Sequence, residues 1–291
     1  MKILLVNPSV GADKEYGALA KAATELPQLG IASVAASLHG RGHEVRVADF
    51  FLENIGLLGL VEILETGGYD MVGFSVYITT ESTTFYLAQK IKARFPNIRI
   101  CVGGPQVTLA AENFKKDCID YVFLGEADLT ILELIERIEQ GEPFPENIEG
   151  LVCNHDGKYL LGINKTALVP DLDQLPLFDL EQYYDLSHYY PPIHIRGNKV
   201  INTISVRGCP YPCTFCAVAA INGTNMRKVS IPRFVDNIEL YMKKGYDSFM
   251  IYDDTFTIIK RRAIEFCREI LKRKLKFVWN CWSRVDRLDD E

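Results

Sequence analysis

IGLLGLVEILETGGYDMVGFSV, residues 55–76, changes its hydrophobic pattern halfway through, and that change decides the fold. IGLLGLVEILE (55–65) reads as a helix closed by Gly67 and Gly68. DMVGFSV (70–76) is a short, nearly continuous apolar run, the pattern of a strand covered on both faces. Working outward, the same alternation repeats. Upstream, KILLV (2–6) is a short apolar run. Residues 28–40 then carry Leu29, Ala32, Ala35, Ala36 and Leu38 at helical spacing and end at Gly40 and Gly42, and EVRVADF (44–50) alternates like a strand. Downstream come a helix over 80–94 stopped by Pro96, IRICVGG (98–104), another helix to about 116, YVFLGE (121–126) and a helix around 129–140. Strands alternating with helices argue for a parallel sheet covered on both faces, here a flavodoxin- or Rossmann-like doubly wound α/β domain.

Ligands of such sheets sit beyond the carboxyl ends of the strands, and Gly73, Gly103, Gly104 and Gly125 fall at or near those ends. A glycine there lets backbone approach a bound group, and it serves equally as an ordinary turn residue. The first strand runs into NPSVGADKEYG (7–17), not G-x-G-x-x-G, so no standard dinucleotide site is expected. Residues 142–195 break the rhythm: prolines stand at 143, 145, 170, 176, 191 and 192, and LVCNHDGKYLL (151–161) reads as a hairpin turning at Asp156–Gly157. This stretch is expected to connect a domain over 1–141 to one over 196–291. In the latter, alternation resumes with VINTISV (200–206), a helix near 232–244, SFMIYDD (248–254), a helix near 258–273 and LKFVWNCW (275–282). These are the opening units of a (β/α) barrel of the TIM-like kind, truncated where a fourth unit ought to begin.

Composition narrows the function. The 291 residues are 48% hydrophobic and 24% charged, ordinary values for folded protein. A formal net charge of −6 with no dense basic run argues against a nucleic-acid partner. The N-terminus lacks the long apolar stretch of a signal peptide, and no window approaches the roughly 18 apolar residues of a membrane helix, so a cytoplasmic protein without a membrane partner is expected. Of eight cysteines, Cys101, Cys118, Cys153, Cys267 and Cys281 are scattered and read as small buried hydrophobes.

The other three crowd into RGCPYPCTFC (207–216) as C-x3-C-x2-C directly after a strand. Gly208, Pro210 and Pro212 resist a helix, so the segment should curl and turn Cys209, Cys213 and Cys216 toward one point. Three converging thiolates describe a metal site. A structural zinc site needs a fourth ligand at short range, and none follows Cys216 nearby. A [4Fe–4S] cluster on three thiolates leaves one iron open to a ligand that is not protein.

Cys209, Cys213 and Cys216, with Phe215 before the last cysteine, resemble the motif of radical S-adenosylmethionine enzymes. In that family the open iron chelates S-adenosylmethionine, and one electron from the cluster releases a 5′-deoxyadenosyl radical that takes a substrate hydrogen. The resemblance places Phe215 near the adenine. It makes Asp253 and Asp254 in IYDDTFT (251–257) candidates for the methionyl amino group, and Arg284 in WNCWSRVD (279–286) a candidate for its carboxylate or ribose. The usual Gly-Gly-Glu wording is missing from the second strand. ELPQLGIASVAASLHGRGHEVRVADF, DMVGFSV, CVGGPQVTL and YVFLGEAD further resemble the cobalamin-binding domain fused to one large subclass of that family. This implies corrinoid in the strand-end loops of Ser75, Val76, Gly103, Gly104, Pro105, Gly125 and Glu126. The D-x-H-x-x-G signature is absent, Gln106 stands where related sequences often carry histidine, and His39 reads as a helix C-terminal residue, so no protein histidine is expected on cobalt.

The resemblance thus implies a cobalamin-dependent radical enzyme with three cofactors: a [4Fe–4S] cluster, S-adenosylmethionine and cobalamin. The leading reaction is methyl transfer to an unactivated carbon of a small-molecule substrate, with flavodoxin or ferredoxin as electron donor. A radical cyclisation or rearrangement, a non-catalytic corrinoid-binding protein with an incomplete barrel, and a zinc-binding interaction module stand as alternatives.

Overall fold

The computed structural model describes residues 1–8, 26–161, 166–189 and 195–289, which group into two units. The stretch after the first strand, read above as lacking a nucleotide fingerprint, lies largely outside the described residues, as do the prolines at 191 and 192. No helix among the described residues is long and apolar enough to cross a membrane.

In the first unit, β1 (Lys2–Asn7), α1 (Leu29–His39), β2 (Glu44–Asp49), α2 (Leu57–Gly67), β3 (Met71–Ser75) and α3 (Glu81–Arg94) follow the expected alternation. It continues through β4 (Arg99–Gly103), α4 (Pro105–Leu109), β5 (Tyr121–Phe123) and α5 (Ala127–Glu139). The five strands pair in parallel in the order β2-β1-β3-β4-β5. That is the flavodoxin order, whose direction reverses between β1 and β3 and so opens a crevice at their carboxyl ends. The apolar runs are the core: Leu4, Val6, Val72, Phe74, Ile100 and Val102 from the strands meet Leu60, Leu64, Leu87 and Ile91 from the helices. Burial of such side chains stabilises by about 1.5–3 kcal/mol each.

Two expectations are corrected here. The helix expected to run to about 116 stops at Leu109. The chain breaks at Ala110 (φ −135°, ψ 45°) and a separate 3-10 turn, Ala111–Phe114, seats the fully buried Phe114 against Phe85 at a ring-centroid distance of 5.1 Å. The hairpin assigned to the connector belongs to the sheet: β6 (Leu151–His155) pairs antiparallel with β5, and β7 (Lys158–Leu161) with β6. Leu151, Val152 and Cys153 are all buried, and covering the open edge of β5 is how that apolar run leaves water. The turn itself is as read, with positive φ at both Asp156 and Gly157. Residues 179–188 also belong to this unit, whereas 170–178 belong to the other.

The second unit opens with β8 (Val200–Thr203), β9 (Val206–Arg207), α6 (Val218–Asn222) and β10 (Arg227–Lys228). It goes on through α7 (Ile231–Lys243), β11 (Ser248–Ile251), α8 (Lys260–Lys272) and β12 (Val278–Cys281). β8, β11 and β12 form a parallel sheet in that order, the start of a singly wound β/α series. Phe234 of α7, Phe266 of α8, Phe256 and Trp279 pack as an aromatic cluster on one side of it, each ring within 5.3–5.4 Å of a neighbour.

Candidate functional site

The apolar run 200–206 predicts one strand, but it stops at Thr203, whose carbonyl accepts from the Tyr252 amide at 2.7 Å. The next amides turn away from the ladder: Ser205 and Val206 donate to Asp253 Oδ1 at 2.6 and 2.9 Å. The chain then enters β9, leaves for the cysteine loop, and returns through α6 to β10, which pairs antiparallel with β9. The loop is thus a lasso with a narrow neck. Gly208 (φ +94°) sits in that neck, where a Cβ would lie 2.5 Å from the Asn225 carbonyl oxygen, so only glycine fits. The Cys209 amide donates to Gly223 O at 3.2 Å and the Cys216 amide to Cys213 O at 3.1 Å.

Cys209, Cys213 and Cys216 are free thiols, the first two half-buried and the third exposed. Among the described residues no three His, Cys, Asp or Glu side chains gather tightly enough to hold one metal ion, so the expected convergence is not assembled as a single-ion site. A [4Fe–4S] cluster held by three thiolates would ask for Cys209, Cys213 and Cys216 on one loop and would leave one iron open to a ligand that is not protein. Three reachable thiols free of disulfides on one short loop are the donor set that such a cluster uses, and a closed tetrahedral zinc site is what they do not offer.

The structure separates the two aspartates. Asp253 is 0% exposed, and its second oxygen accepts from Ser205 Oγ at 2.6 Å. Burial raises its carboxyl above the ordinary range, against the pull of the Ser205 and Val206 donors and of Arg262. Asp254, beside it, is exposed; partial desolvation and then the Asp253 charge raise it too. Of the pair, Asp254 is the one open to a ligand. Phe215 is 91% exposed on the cysteine loop. Arg284, after β12, comes to that same loop: Nη1 donates to Cys213 Sγ at 3.6 Å and the guanidinium lies over the Tyr211 ring at 4.0 Å. Its other side is held by Asp286, Nε to Oδ1 at 2.9 Å and Nη2 to Oδ2 at 3.2 Å. Tyr211, Ser205 and Arg262 escape sequence reading because nothing local marks them; their side-chain hydrogen bonds reach 48–76 residues along the chain.

At the carboxyl ends of the first unit's strands, Ser75 and Gly103 are paired residues of β3 and β4. The Val76 amide donates to Gly103 O at 2.8 Å, and Val76 O accepts from the Gln106 amide at 3.1 Å. Gly104 precedes Pro105, which opens α4. Gly125 donates to Thr108 Oγ1 at 2.9 Å, while Glu126 accepts from the Val169 amide at 2.6 Å. These loops therefore do come together. Gln106 Nε2 donates to Glu81 at 2.6 Å, and His39 ends α1. Unforeseen in the sequence are the large apolar side chains these loops leave uncovered, Tyr77 and Ile78 after β3 and Leu109 in α4, with Ile78 76% exposed.

Residues 17–135 match the family model of the B12 binding domain. An uncharacterized methyltransferase of Pyrococcus horikoshii is 28% identical over 100% of this chain and 61% of its own length. The anaerobic magnesium-protoporphyrin IX monomethyl ester cyclase of Rubrivivax gelatinosus is 26% identical over 100% of this chain and 52% of its own. The chain thus spans between about half and three fifths of these relatives. Among solved structures, the cobalamin-dependent S-adenosylmethionine radical enzyme OxsB, with aqua-cobalamin and S-adenosylmethionine bound, superposes with a TM-score of 0.78 at 18% identity, over 98% of this chain and 39% of that one. The likeness extends the fold reading, a Rossmann-like sheet followed by the start of a β/α barrel, to nearly every residue.

Proposed function

We propose that this chain, which carries a B12 binding domain over residues 17–135 and is similar along its length to cobalamin-dependent radical S-adenosylmethionine enzymes, transfers a methyl group to an unactivated carbon of a small molecule. The observation that carries the reading is the cysteine loop: three free thiols presented at the carboxyl end of β8, beside the ends of β11 and β12 where Asp254 and Arg284 stand. When bound, the cluster with S-adenosylmethionine supplies one-electron radical chemistry and the corrinoid supplies the methyl group.

In this reading Cys209, Cys213 and Cys216 hold three irons. Asp254 takes the methionyl amino group, Phe215 covers the adenine, and Arg284 works between Cys213 and the ligand's carboxylate end. Ser75, Val76, Gly103, Gly104, Pro105, Gly125 and Glu126 form the corrinoid loops, with Tyr77, Ile78 and Leu109 excluding water from its face. No histidine stands on those loops, so none reaches cobalt from them. A donor of flavodoxin or ferredoxin class brings the electron. Free thiols at every described cysteine suit the reducing cytoplasm, with neither nucleic acid nor membrane as partner.

The similarity to the cyclase supports a second outcome for the same machinery, a radical cyclisation, which product analysis separates from methylation. The test is anaerobic reconstitution with iron and sulfide, followed by assay of iron, acid-labile sulfide, zinc and corrinoid, then of 5′-deoxyadenosine after adding S-adenosylmethionine and reductant. Sulfide with corrinoid and 5′-deoxyadenosine is the expected result. Stoichiometric zinc without sulfide would refute it, and corrinoid without a cluster would leave a corrinoid-binding protein.

A further inference from the structure

We propose that Asp253 is the latch of the cysteine loop, a positioning residue whose one carboxylate fixes the turn at Ser205–Val206 from which Cys209, Cys213 and Cys216 are presented. The proposal rests on the reading above only for what the loop holds. Every polar group of Ser205 is engaged: its amide and hydroxyl donate to Asp253 at 2.6 Å each, and its carbonyl accepts from the Val229 amide at 2.9 Å and from Arg262 Nη2 at 3.4 Å. Ser205 and Asp253 are both 0% exposed, so these bonds have no competing water.

The geometry has a direction. Asp253 follows β11 by two residues, and Ser205 lies three residues before Gly208, so the bonds tie the strand end bearing Asp254 to the entrance of the lasso. Val229, on the lasso's return strand side, is tied to the same Ser205. One carboxylate therefore sets both legs of the neck. Without it, two buried backbone N–H groups lose their acceptor, and the β9–β10 pair is left with two residue pairs to hold a loop of 208–226 closed. Both amides use Oδ1 and only the hydroxyl uses Oδ2. An asparagine keeps Oδ1 for the amides and turns its NH2 to the Ser205 oxygen, so it can replace the aspartate as a latch.

Three variants of the full chain separate the latch from simple burial. In metal-free protein, hydrogen exchange of peptides covering 205–226 should quicken about tenfold in Asp253→Ala, by less in Ser205→Ala, which keeps both amide bonds, and hardly at all in Asp253→Asn. Peptides of β1, β3 and β4 serve as the unmoved control. After anaerobic reconstitution, the same order should govern how fast a chelator strips iron. Parental exchange across 205–226 in Asp253→Ala would overturn the latch. Should that variant not fold, parental exchange in Ser205→Ala together with faster exchange in Asp253→Asn would overturn it equally, since that order reverses the one the bonds require. A parent chain that takes up no iron and sulfide would sink the cluster reading, while the exchange order on metal-free protein still judges the latch.

Discussion

Replacing Gly104 and Gly103 by alanine, one at a time, separates glycines that the fold requires from glycines that a ligand requires. Gly104 has φ 102° and ψ −178°, a region open essentially to glycine alone, and any other residue there costs about 1–3 kcal/mol. An added Cβ would also stand 2.9 Å from Val76 N and 3.0 Å from Val76 O, both backbone atoms. Neither can yield freely, because Val76 N donates to Gly103 O and Val76 O accepts from the Gln106 amide. Breaking those two bonds adds about 1 kcal/mol each. Gly104→Ala should therefore cost about 3–5 kcal/mol, which for a unit of this size lowers its melting temperature by at least about 6 °C. Gly103 differs: its φ is not positive, and its Cβ would meet only Phe123 Cβ, at an ordinary 3.5 Å. Gly103→Ala should leave stability unchanged or raise it by about 0.5–1 kcal/mol, since glycine is unfavourable inside a strand. If corrinoid approaches the strand ends, the same substitution should weaken corrinoid binding. Urea unfolding and corrinoid titration of both variants decide it. A Gly104→Ala chain within 1 kcal/mol of the parent would refute the packing argument, and equal destabilisation by both would show that neither glycine is reserved for a ligand.

Three further outcomes follow from the same structure. Alkylation at pH 8 should label the exposed Cys216 and Cys267 in the folded, metal-free chain and spare Cys101 and Cys153, whose thiols burial pushes up to about 12; labelling of Cys101 without denaturant would mean that β4 opens. Phe266→Ala should cost about 3–5 kcal/mol of the second unit's stability by calorimetry, because a fully buried ring loses contact with Phe234, Phe256 and Trp279 at once; a loss under 1 kcal/mol would contradict that packing. The Asp247 carboxyl is held below its ordinary value of 3.8, first by the Lys199 amide and also by Asn198. Its contribution is complete above that value and lost as pH falls through the lower folded one, so the stability gap between parent and Asp247→Asn should close in acid; a gap that widens in acid would reverse the assignment.

What the sequence discloses and what it hides divides by chain distance. The alternation of KILLV, EVRVADF, DMVGFSV and IRICVGG with helical spacing names the doubly wound sheet because both periods are local. Asp156–Gly157 names its own turn for the same reason, yet nothing within that hairpin tells whether it wraps or pairs; only the unfilled edge of β5 decides that, and it lies 28 residues or more upstream of β6. The cysteine loop shows the division most sharply. Its thiols are legible in eight consecutive positions. The two aspartates after β11 look interchangeable as letters, and a reading by residue type offers both to the same ligand. Alternation along the extended chain sends neighbours to opposite sides, so one of the pair must face inward, where a carboxylate persists only if donors meet it. Those donors are Ser205 and Val206, 48 and 47 residues earlier, in a stretch whose apolar pattern reads as uninterrupted strand. The break in that strand and the burial of Asp253 are therefore one event seen from two places, and of the two carboxylates only that of Asp254 stays exposed.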